Sequence, residues 1–246
     1  MSALVIDAVS RNFGGVQALT DVSFTVEAGE RRLIIGPNGA GKTTLFNMLS
    51  GAFPVSSGRV TLFGREITNL PANERAELGL ARTFQITNLF PNLTVTENLL
   101  LALQAKDEKA FSMFSSMRAN RRLFERAQAL LEKWGIADIA KQTAREISYG
   151  QQRQVDLILA MACDPRVLLL DEPTAGLSAA EVVRVVGMIS DLPKDMTVLM
   201  IEHDMDVAFD IADRIAVLHQ GRLIAEGIPD EIRGHPHVTE IYLGAD

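Results

Sequence analysis

A glycine-rich segment, GPNGAGKT, constrains the fold of this chain more than any other feature of its sequence. It runs from Gly36 to Thr43, follows the strand-like run Arg32 to Ile35 and leads into a helical pattern from Thr43 to Leu49. Glycines let the backbone curl so that successive N–H groups point at one anion, and the positive end of the next helix attracts the same anion. The order of strand, glycine loop and helix therefore predicts a phosphate-binding loop.

An acidic residue follows a second apolar strand and complements this loop. The run Val167 to Leu170 ends in Asp171, which predicts a carboxylate at the carboxyl end of a buried strand, where nucleotide sites of open α/β sheets lie. Together the two motifs predict a nucleoside triphosphatase. Lys42 is expected to reach the β and γ phosphates, Thr43 to ligate Mg²⁺, and Asp171 to hold the Mg²⁺ shell through water.

Other patterns divide the chain into an α/β part and a helical part. Two β-rich stretches open it, and in the first of them Leu4, Ile6 and Ala8 are expected on one face. From about Val95 to Ala162 the pattern is helical, and after Arg166 strands and helices alternate again. The prediction is an α/β core interrupted by a helical insertion.

Composition restricts the class of function. The 246 residues are 47% hydrophobic, and no apolar run approaches the roughly 20 residues of a membrane-spanning helix. We expect no export signal at the start. The net charge of −7 argues against a protein that holds nucleic acid through its phosphates. Cys163, the one cysteine, is expected to be a buried small hydrophobe.

Four further segments occur in a fixed order along the chain. They are Gln85 in RTFQ, Ser148 to Gln152 in SYGQQ, Glu172 directly after Asp171, and His203 in IEHD. With the phosphate loop, this set resembles the ABC ATPase family. The resemblance implies an α/β P-loop NTPase (RecA-like) core with an N-terminal antiparallel β subdomain and an inserted helical signature subdomain. Residues 1–246 would form one ABC ATPase domain, with 1–85 and 163–246 as core and about 86–162 as helical subdomain.

The resemblance also implies roles for individual residues. Glu172 would be the general base, His203 would hold the γ phosphate and the attacking water, and Gln85 would sense Mg²⁺ and that phosphate. Mg²⁺ would be held by Thr43, Gln85 and Asp171. ATP would be contacted by Phe13, stacked on adenine, and by Gly36, Pro37, Asn38, Gly39, Ala40, Gly41, Lys42, Thr43, Thr44, Ser148, Gly150 and Gln151. Ser148, Gly150 and Gln151 would serve the nucleotide of a second protomer.

Several short segments narrow the resemblance to the ATPases of branched-chain amino acid importers. RTFQ, YGQQR, IEHDM and the ending YLG look like that subgroup. The implied partners are a second ATPase subunit, identical or different, in a head-to-tail dimer, integral permease subunits and, indirectly, a periplasmic binding protein. The implied location is the cytoplasmic face of the inner membrane, as a peripheral subunit.

Two departures from the family pattern and two rival functions stay open. Tyr149 replaces a signature glycine, so its ring must point away from the phosphate, and Ser178 stands where the family commonly has aspartate. A serine there can still cap the helix that follows. One rival function is the ATPase of a lipid or lipopolysaccharide exporter, and the other is a soluble ABC ATPase acting on ribosomes or DNA. The transported substrate, leucine, urea or another amide, is not encoded in these motifs.

Overall fold

The computed structural model describes residues 1–83, 89–106, 117–202 and 209–243. The chain forms two compact units. The first comprises Met1–Arg82, Arg166–Ala175 and Leu192–Asp246, and the second comprises Thr83–Pro165 and Gly176–Asp191. The predicted domain boundaries at 85/86 and 162/163 remain a prediction.

The first unit is built on two sheets. Its described strands are β1 Ser2–Phe13, β2 Val16–Glu27, β3 Arg31–Ile35, β4 Ser57–Leu62, β5 Arg65–Glu66, β6 Leu80–Arg82, β7 Val167–Asp171, β8 Thr197–Ile201, β9 Arg214–His219 and β10 Arg222–Gly227. The smaller sheet has the order β2-β1-β4-β5 and its paired strands are antiparallel. The larger sheet has the order β10-β9-β3-β8-β7-β6. Strands β9 to β6 of this order are parallel, and only the β9–β10 hairpin is antiparallel.

Helices of the first unit follow the strands closely. They are α1 Lys42–Leu49, α2 Ala72–Glu77, α7 Pro229–Arg233 and α8 Pro236–Leu243. Strands β7 and β8 are buried along their whole length, as expected of parallel strands covered on both faces. The apolar face of α1, with Leu45 and Phe46, belongs to the same core as the two sheets. This core fixes the ends of β3, β7 and α1.

The second unit is helical. It contains α3 Val95–Lys106, α4 Met117–Lys133, a 3₁₀ turn Ala137–Ile139, α5 Tyr149–Ala162 and α6 Ala179–Ser190. On α4 Leu123, Ala127 and Leu131 form a buried stripe at helical spacing. Across both units, none of the described helices is long and apolar enough to cross a membrane.

Two expectations about individual side chains are wrong. Ala8 is exposed rather than sharing the buried face of Leu4 and Ile6. Its φ of 49° and the register shift between Ile6 and Val9 mark a bulge that turns the strand. Cys163 is exposed rather than buried, because α5 ends at Ala162 and the cysteine lies beyond its last apolar turn.

Candidate nucleotide-binding site

The glycine-rich loop joins β3 to α1, and its glycines are required by contact as well as by torsion. A Cβ on Gly36 would lie 2.1 Å from the carbonyl oxygen of Leu218, and one on Gly41 would lie 2.6 Å from Cδ2 of Leu19. Gly41 also has a φ of 101° at the N-terminus of α1, a conformation that side chains disfavour. The loop can therefore follow this path only with glycine at both positions.

The turn between β9 and β10 is hydrogen-bonded to the glycine-rich loop. The backbone N–H of Gly221 donates to the carbonyl of Ala40 at 3.0 Å, and the Gly221 carbonyl accepts from the N–H of Thr20 at 2.8 Å. The buried carbonyl of Ala40 is thereby satisfied within the first unit. Ala40 is buried, whereas Asn38 and Gly39 are exposed and Pro37 is half-buried. The exposed part of the loop carries the N–H groups predicted to face phosphate.

Lys42 is the first residue of α1, and its ammonium is nearly enclosed. Its Nζ donates to the carbonyl oxygens of Gly36 at 2.6 Å and Pro37 at 3.1 Å, and the residue is 6% exposed. Burial lowers the pKa of the Lys42 ammonium, while the negative charges of Glu172 and Asp171 act in the opposite direction. One cation thus shares its surroundings with both predicted acidic residues. Thr43 is exposed and Thr44 half-buried beside it.

Asp171 ends β7 and is almost completely buried. Its Oδ2 accepts from a terminal nitrogen of Arg82 at 2.7 Å, and the two side chains are 1% and 6% exposed. Its Oδ1 is buried and has no hydrogen-bond partner among the described residues. A buried carboxylate oxygen without a donor is costly in a protein interior, so this atom marks a position suited to a further ligand.

Glu172, the next residue, has an unusual backbone conformation. Its φ is 49°, and its N–H donates to the carbonyl of Ile201 at the end of β8 at 3.0 Å. The buried carboxylate of Glu202 accepts from the N–H of Thr174 at 2.9 Å and from its hydroxyl at 2.7 Å. These bonds hold the turn after β7 against the end of β8, and the half-buried Glu172 sits in that turn. Left-handed backbone at a non-glycine residue is a feature that concentrates at functional sites.

Phe13 ends β1 with a ring that is not part of the core. The residue is 39% exposed, its ring meets that of Phe53 edge to face at 5.6 Å, and the Arg11 guanidinium lies 4.4 Å from its centroid. One face is therefore taken by a cation. The structure places Phe13 as a surface aromatic, which is the geometry that a stacking role requires.

The predicted signature residues lie in the second unit, at the start of α5. Ser148 is the N-cap: its hydroxyl accepts from the N–H of Gln151 at 3.2 Å, and the Gln151 side chain accepts from the N–H of Ser148 at 2.9 Å. This reciprocal capping box satisfies two of the free amides of a helix end. Ser148 and Gln151 thus have a structural role whether or not they contact a nucleotide.

Glu181 of α6 lies over the same helix end. A Cβ on Gly150 would come within 2.2 Å of the Glu181 carboxylate, and the Ser148 hydroxyl is 3.5 Å from it. The carboxylate also accepts from the N–H of Ser178 at 3.0 Å and its hydroxyl at 2.7 Å. These bonds from Ser178, and weaker ones from Gly150 and Ser148, lower the pKa of Glu181 against the opposing effect of burial. The start of α5 therefore already stabilises one negative charge, that of the Glu181 carboxylate.

Tyr149 and Ser178, the two departures from the family pattern, are both accommodated. The Tyr149 ring is exposed, carries the Arg153 guanidinium 5.2 Å from its centroid, and lies 3.4 Å from where a Cβ on Gly176 would be. Ser178 is the N-cap residue of α6. Of the remaining predicted site residues, Gln85 and His203 lie outside the described part of the chain.

Sequence reasoning missed three residues that shape these sites. They are Arg82, Glu202 and Glu181. For Glu181 the pattern SAAE after the acidic segment carries a capping-box signal. Arg82 and Glu202 occupy positions in recognisable motifs, but their partners come from distant parts of the chain and only the fold reveals them.

The parallel sheet, the glycine loop after β3 and the buried acid at the end of β7 define a P-loop nucleotide-binding protein. Comparison with known proteins narrows this class. A family model described as ABC transporter matches residues 19–175, and a model described as branched-chain amino acid ATP-binding cassette transporter matches residues 222–246.

Relatives and solved structures match over nearly the full length. The high-affinity branched-chain amino acid transport ATP-binding protein LivG of Salmonella typhimurium is 39% identical over 98% of this chain and 97% of its own. The lipopolysaccharide export system ATP-binding protein LptB of Escherichia coli is 33% identical over 100% and 99%. The ADP conformation of MJ1267, an ATP-binding cassette of an ABC transporter, superposes with a TM-score of 0.88 at 31% identity, covering 99% of each chain. A dimeric post-hydrolysis structure of the cassette MJ0796, bound to ADP and Pi, gives 0.79 at 26% identity over 92% and 98%.

The chain belongs to the ATP-binding cassette family of ABC transporters. It is an ATPase of that family, and the predicted fold class is confirmed.

Proposed function

We propose that this chain hydrolyses ATP to power an importer of branched-chain or related hydrophobic amino acids. The substrate would pass through a separate membrane permease. The observation that carries the proposal is the agreement between two parts of the chain. The full length is 39% identical to a branched-chain amino acid transport protein, and the C-terminal residues 222–246 match a model specific to such transporters. Identity to the lipopolysaccharide export protein is lower, at 33%. The subunit would act at the cytoplasmic face of the inner membrane.

The phosphate loop and Lys42 would bind the triphosphate, and Thr43 and Thr44 would also contact it. Asn38 and Gly39 are exposed residues, and their backbone amides would point at phosphate oxygens. Lys42 would exchange its two carbonyl partners for phosphate oxygens, an exchange that a buried ammonium favours because an anion compensates its charge better than a carbonyl does. Adenine would stack on the face of Phe13 that Arg11 leaves open.

Mg²⁺ fits the donor set at the end of β7. Oδ1 of Asp171 is buried without a hydrogen-bond partner among the described residues, and hard oxygen ligands are those that Mg²⁺ prefers, often through its waters. Asp171 and Thr43 would hold the ion, with Gln85 as the third predicted contributor. When bound, Mg²⁺ would neutralise charge on the phosphate oxygens.

Glu172 would act as the general base for the attacking water. Its backbone conformation, fixed by the bond from its N–H to Ile201, sets the direction in which its carboxylate leaves the turn. A positioned base accounts for about 10²- to 10⁴-fold in rate. His203 would assist by holding the γ phosphate and the water. Ser148, Gly150 and Gln151 of a second subunit would close the site from across a head-to-tail dimer.

The decisive experiment is transport by the assembled complex. We expect proteoliposomes that contain this chain and its permease subunits to take up labelled leucine when ATP is enclosed with the ATPase and the periplasmic binding protein is supplied on the opposite side. Lys42→Ala should abolish both uptake and ATP hydrolysis, since it removes the cation that compensates the phosphates.

Other outcomes of this experiment would point to a different substrate or to one of the rival functions. Uptake of urea or another amide in place of leucine would change the substrate while keeping the importer. Association with a lipid or lipopolysaccharide permease, with ATP hydrolysis but no amino acid uptake, would contradict import. Association with ribosomes or DNA would contradict transport altogether.

A further inference from the structure

Arg82 links three elements of the first unit through one buried side chain. It is the last residue of β6, and its guanidinium donates to Oδ2 of Asp171 at 2.7 Å, to Oδ1 of Asn47 at 2.7 Å and to Oγ of Ser50 at 3.0 Å. Asn47 lies in the last turn of α1 and Ser50 is its C-cap. The helix that begins at the phosphate loop is thus tied at its far end to the acid at the end of β7.

This geometry uses what distinguishes arginine from lysine. A planar guanidinium presents several donors in fixed directions, so it can hold a carboxylate on one side and two further oxygens on the other. A lysine ammonium could pair with Asp171 but would not present donors in fixed directions to the same three partners. The contact therefore fixes the orientation of the Asp171 carboxylate as well as compensating its charge.

The two oxygens of Asp171 have unequal surroundings as a result. Oδ2 is held by Arg82, whereas Oδ1 is buried without a hydrogen-bond partner among the described residues. Rotation of the carboxylate would break a charge-assisted hydrogen bond between side chains that are 6% and 1% exposed, and such bonds are the strong ones in a protein interior. Arg82 thereby keeps Oδ1 in one direction.

We propose that Arg82 is a positioning residue that orients Asp171 so that its Oδ1 receives the Mg²⁺ of the bound nucleotide. The proposal rests on the proposed role of Asp171 as the carboxylate of the Mg²⁺ site. Residues that orient metal-binding groups by hydrogen bonds typically change metal affinity about 10- to 100-fold when they are replaced. A buried ion pair alone gives little net stability, so a role in metal binding explains the arrangement better than folding does.

The test measures metal binding directly, with Mn²⁺ as the probe. Binding of Mn²⁺ to the ADP-saturated protein is followed by electron paramagnetic resonance, and binding of ADP without metal is measured in EDTA. We expect Arg82→Gln to weaken Mn²⁺ binding about 10-fold or more, while metal-free ADP binding stays within about twofold. Arg82→Lys and Asn47→Ala should give smaller losses, since each keeps the charge next to Asp171 but removes part of its support.

Matched variants make the result decisive. Arg59→Gln, which removes an arginine from an exposed pair with Glu66, should leave both affinities unchanged. Asp171→Asn tests the site itself: if it leaves Mn²⁺ affinity intact, the role of Asp171 fails, whatever Arg82 does. If Asp171→Asn weakens Mn²⁺ binding but Arg82→Lys and Asn47→Ala do not, the positioning role of Arg82 is overturned. Should Arg82→Gln fail to fold, those two milder variants decide the question.

Discussion

Gly39 and Gly41 have similar torsions but different surroundings, so they separate two reasons for a glycine. Their φ values are 79° and 101°, yet a Cβ on Gly39 would meet nothing within 4 Å, whereas one on Gly41 would lie 2.8 Å from the carbonyl of Ala18 and closer still to Leu19. We expect Gly39→Ala to lower the free energy of unfolding by about 1–2 kcal/mol through backbone strain. Gly41→Ala should cost about 1–3 kcal/mol more through the clash.

Urea unfolding followed by circular dichroism measures both variants, and Gly187→Ala is the control. Gly187 lies within α6 with open space around it, and alanine favours a helix over glycine. This control should be neutral or stabilising. Equal losses for Gly39→Ala and Gly41→Ala would contradict a steric role for the contact with Leu19.

At the residue scale, the sequence predicts those site residues whose role depends only on their neighbours along the chain. The glycine loop and Lys42 follow from their order between a strand and a helix, because the amides, the curl and the helix end are all local. Arg82 shows the limit, since its partners Asp171 and Asn47 become neighbours only when β6 pairs with β7 and α1 covers the sheet. The prediction that Cys163 is buried was wrong for a local reason. The apolar pattern of α5 indicates burial but does not fix the residue at which the helix ends.

At the scale of elements, carboxylates that cap turns and helices in the second unit make stability depend on pH. Glu97 accepts from the N–H and hydroxyl of Thr94 before α3, and Glu146 does the same for Thr143 before α5. In each case the hydrogen bond from the threonine N–H is the main cause that lowers the glutamate pKa below its ordinary value of 4.5. A lowered pKa in the folded state means that the ionised form is the stabilising one.

We therefore expect the double variant Glu97→Gln, Glu146→Gln to be less stable than the parent chain at pH 7. The parent's advantage is complete above pH 4.5, falls as the pH drops through the lowered pKa values, and disappears once both carboxyls are protonated. Urea titrations at several pH values between 7 and 3 measure it. The control is Glu125→Gln, which removes an acid that pairs with Arg121 along α4 and caps nothing. A difference that stays constant with pH would contradict the capping account.

Element order and type follow from the sequence better than details of register do. The hydrophobic runs Val167 to Leu170 and Val198 to Ile201 predict buried parallel strands, and they form β7 and β8. The bulge at Ala8 was not predictable from alternation, because a single extra residue reverses the faces and leaves composition unchanged. Its cause lies in pairing: β1 has partners on both edges, β2 and β4, and the register shifts against each of them.

On the scale of the whole molecule, the residues proposed to bind nucleotide are divided between the two units. The phosphate loop, Asp171 and Glu172 belong to the first unit, whereas Ser148 and Gly150 belong to the second. Sequence motifs identify both sets but do not state which copy of the chain each one serves. The cassette MJ0796, 26% identical to this chain, has a dimeric structure, and in the proposed head-to-tail dimer Ser148 and Gly150 would serve the nucleotide of a second protomer.

A catalytically arrested chain tests that assembly. If Glu172 is the general base, Glu172→Gln should bind ATP without hydrolysing it, so the γ phosphate that joins the subunits persists. We expect this variant to elute with MgATP at about twice the chain mass of 26.9 kDa, alone or with a second kind of ATPase subunit, and as a monomer with ADP. Light scattering after gel filtration gives the mass.

Two second-site variants locate the contact. Adding Lys42→Ala to Glu172→Gln should remove nucleotide binding and with it the dimer. Adding Ser148→Glu should keep nucleotide binding, because Ser148 lies in the other unit, but should repel the γ phosphate of the partner subunit from the start of α5 through its negative charge. A Glu172→Gln chain that hydrolyses ATP at the parent rate would remove Glu172 from the mechanism. A Ser148→Glu variant that still dimerises with ATP would show that the subunits meet through another surface, since a second carboxylate at this helix end would repel the phosphate and compete with it for the same amides.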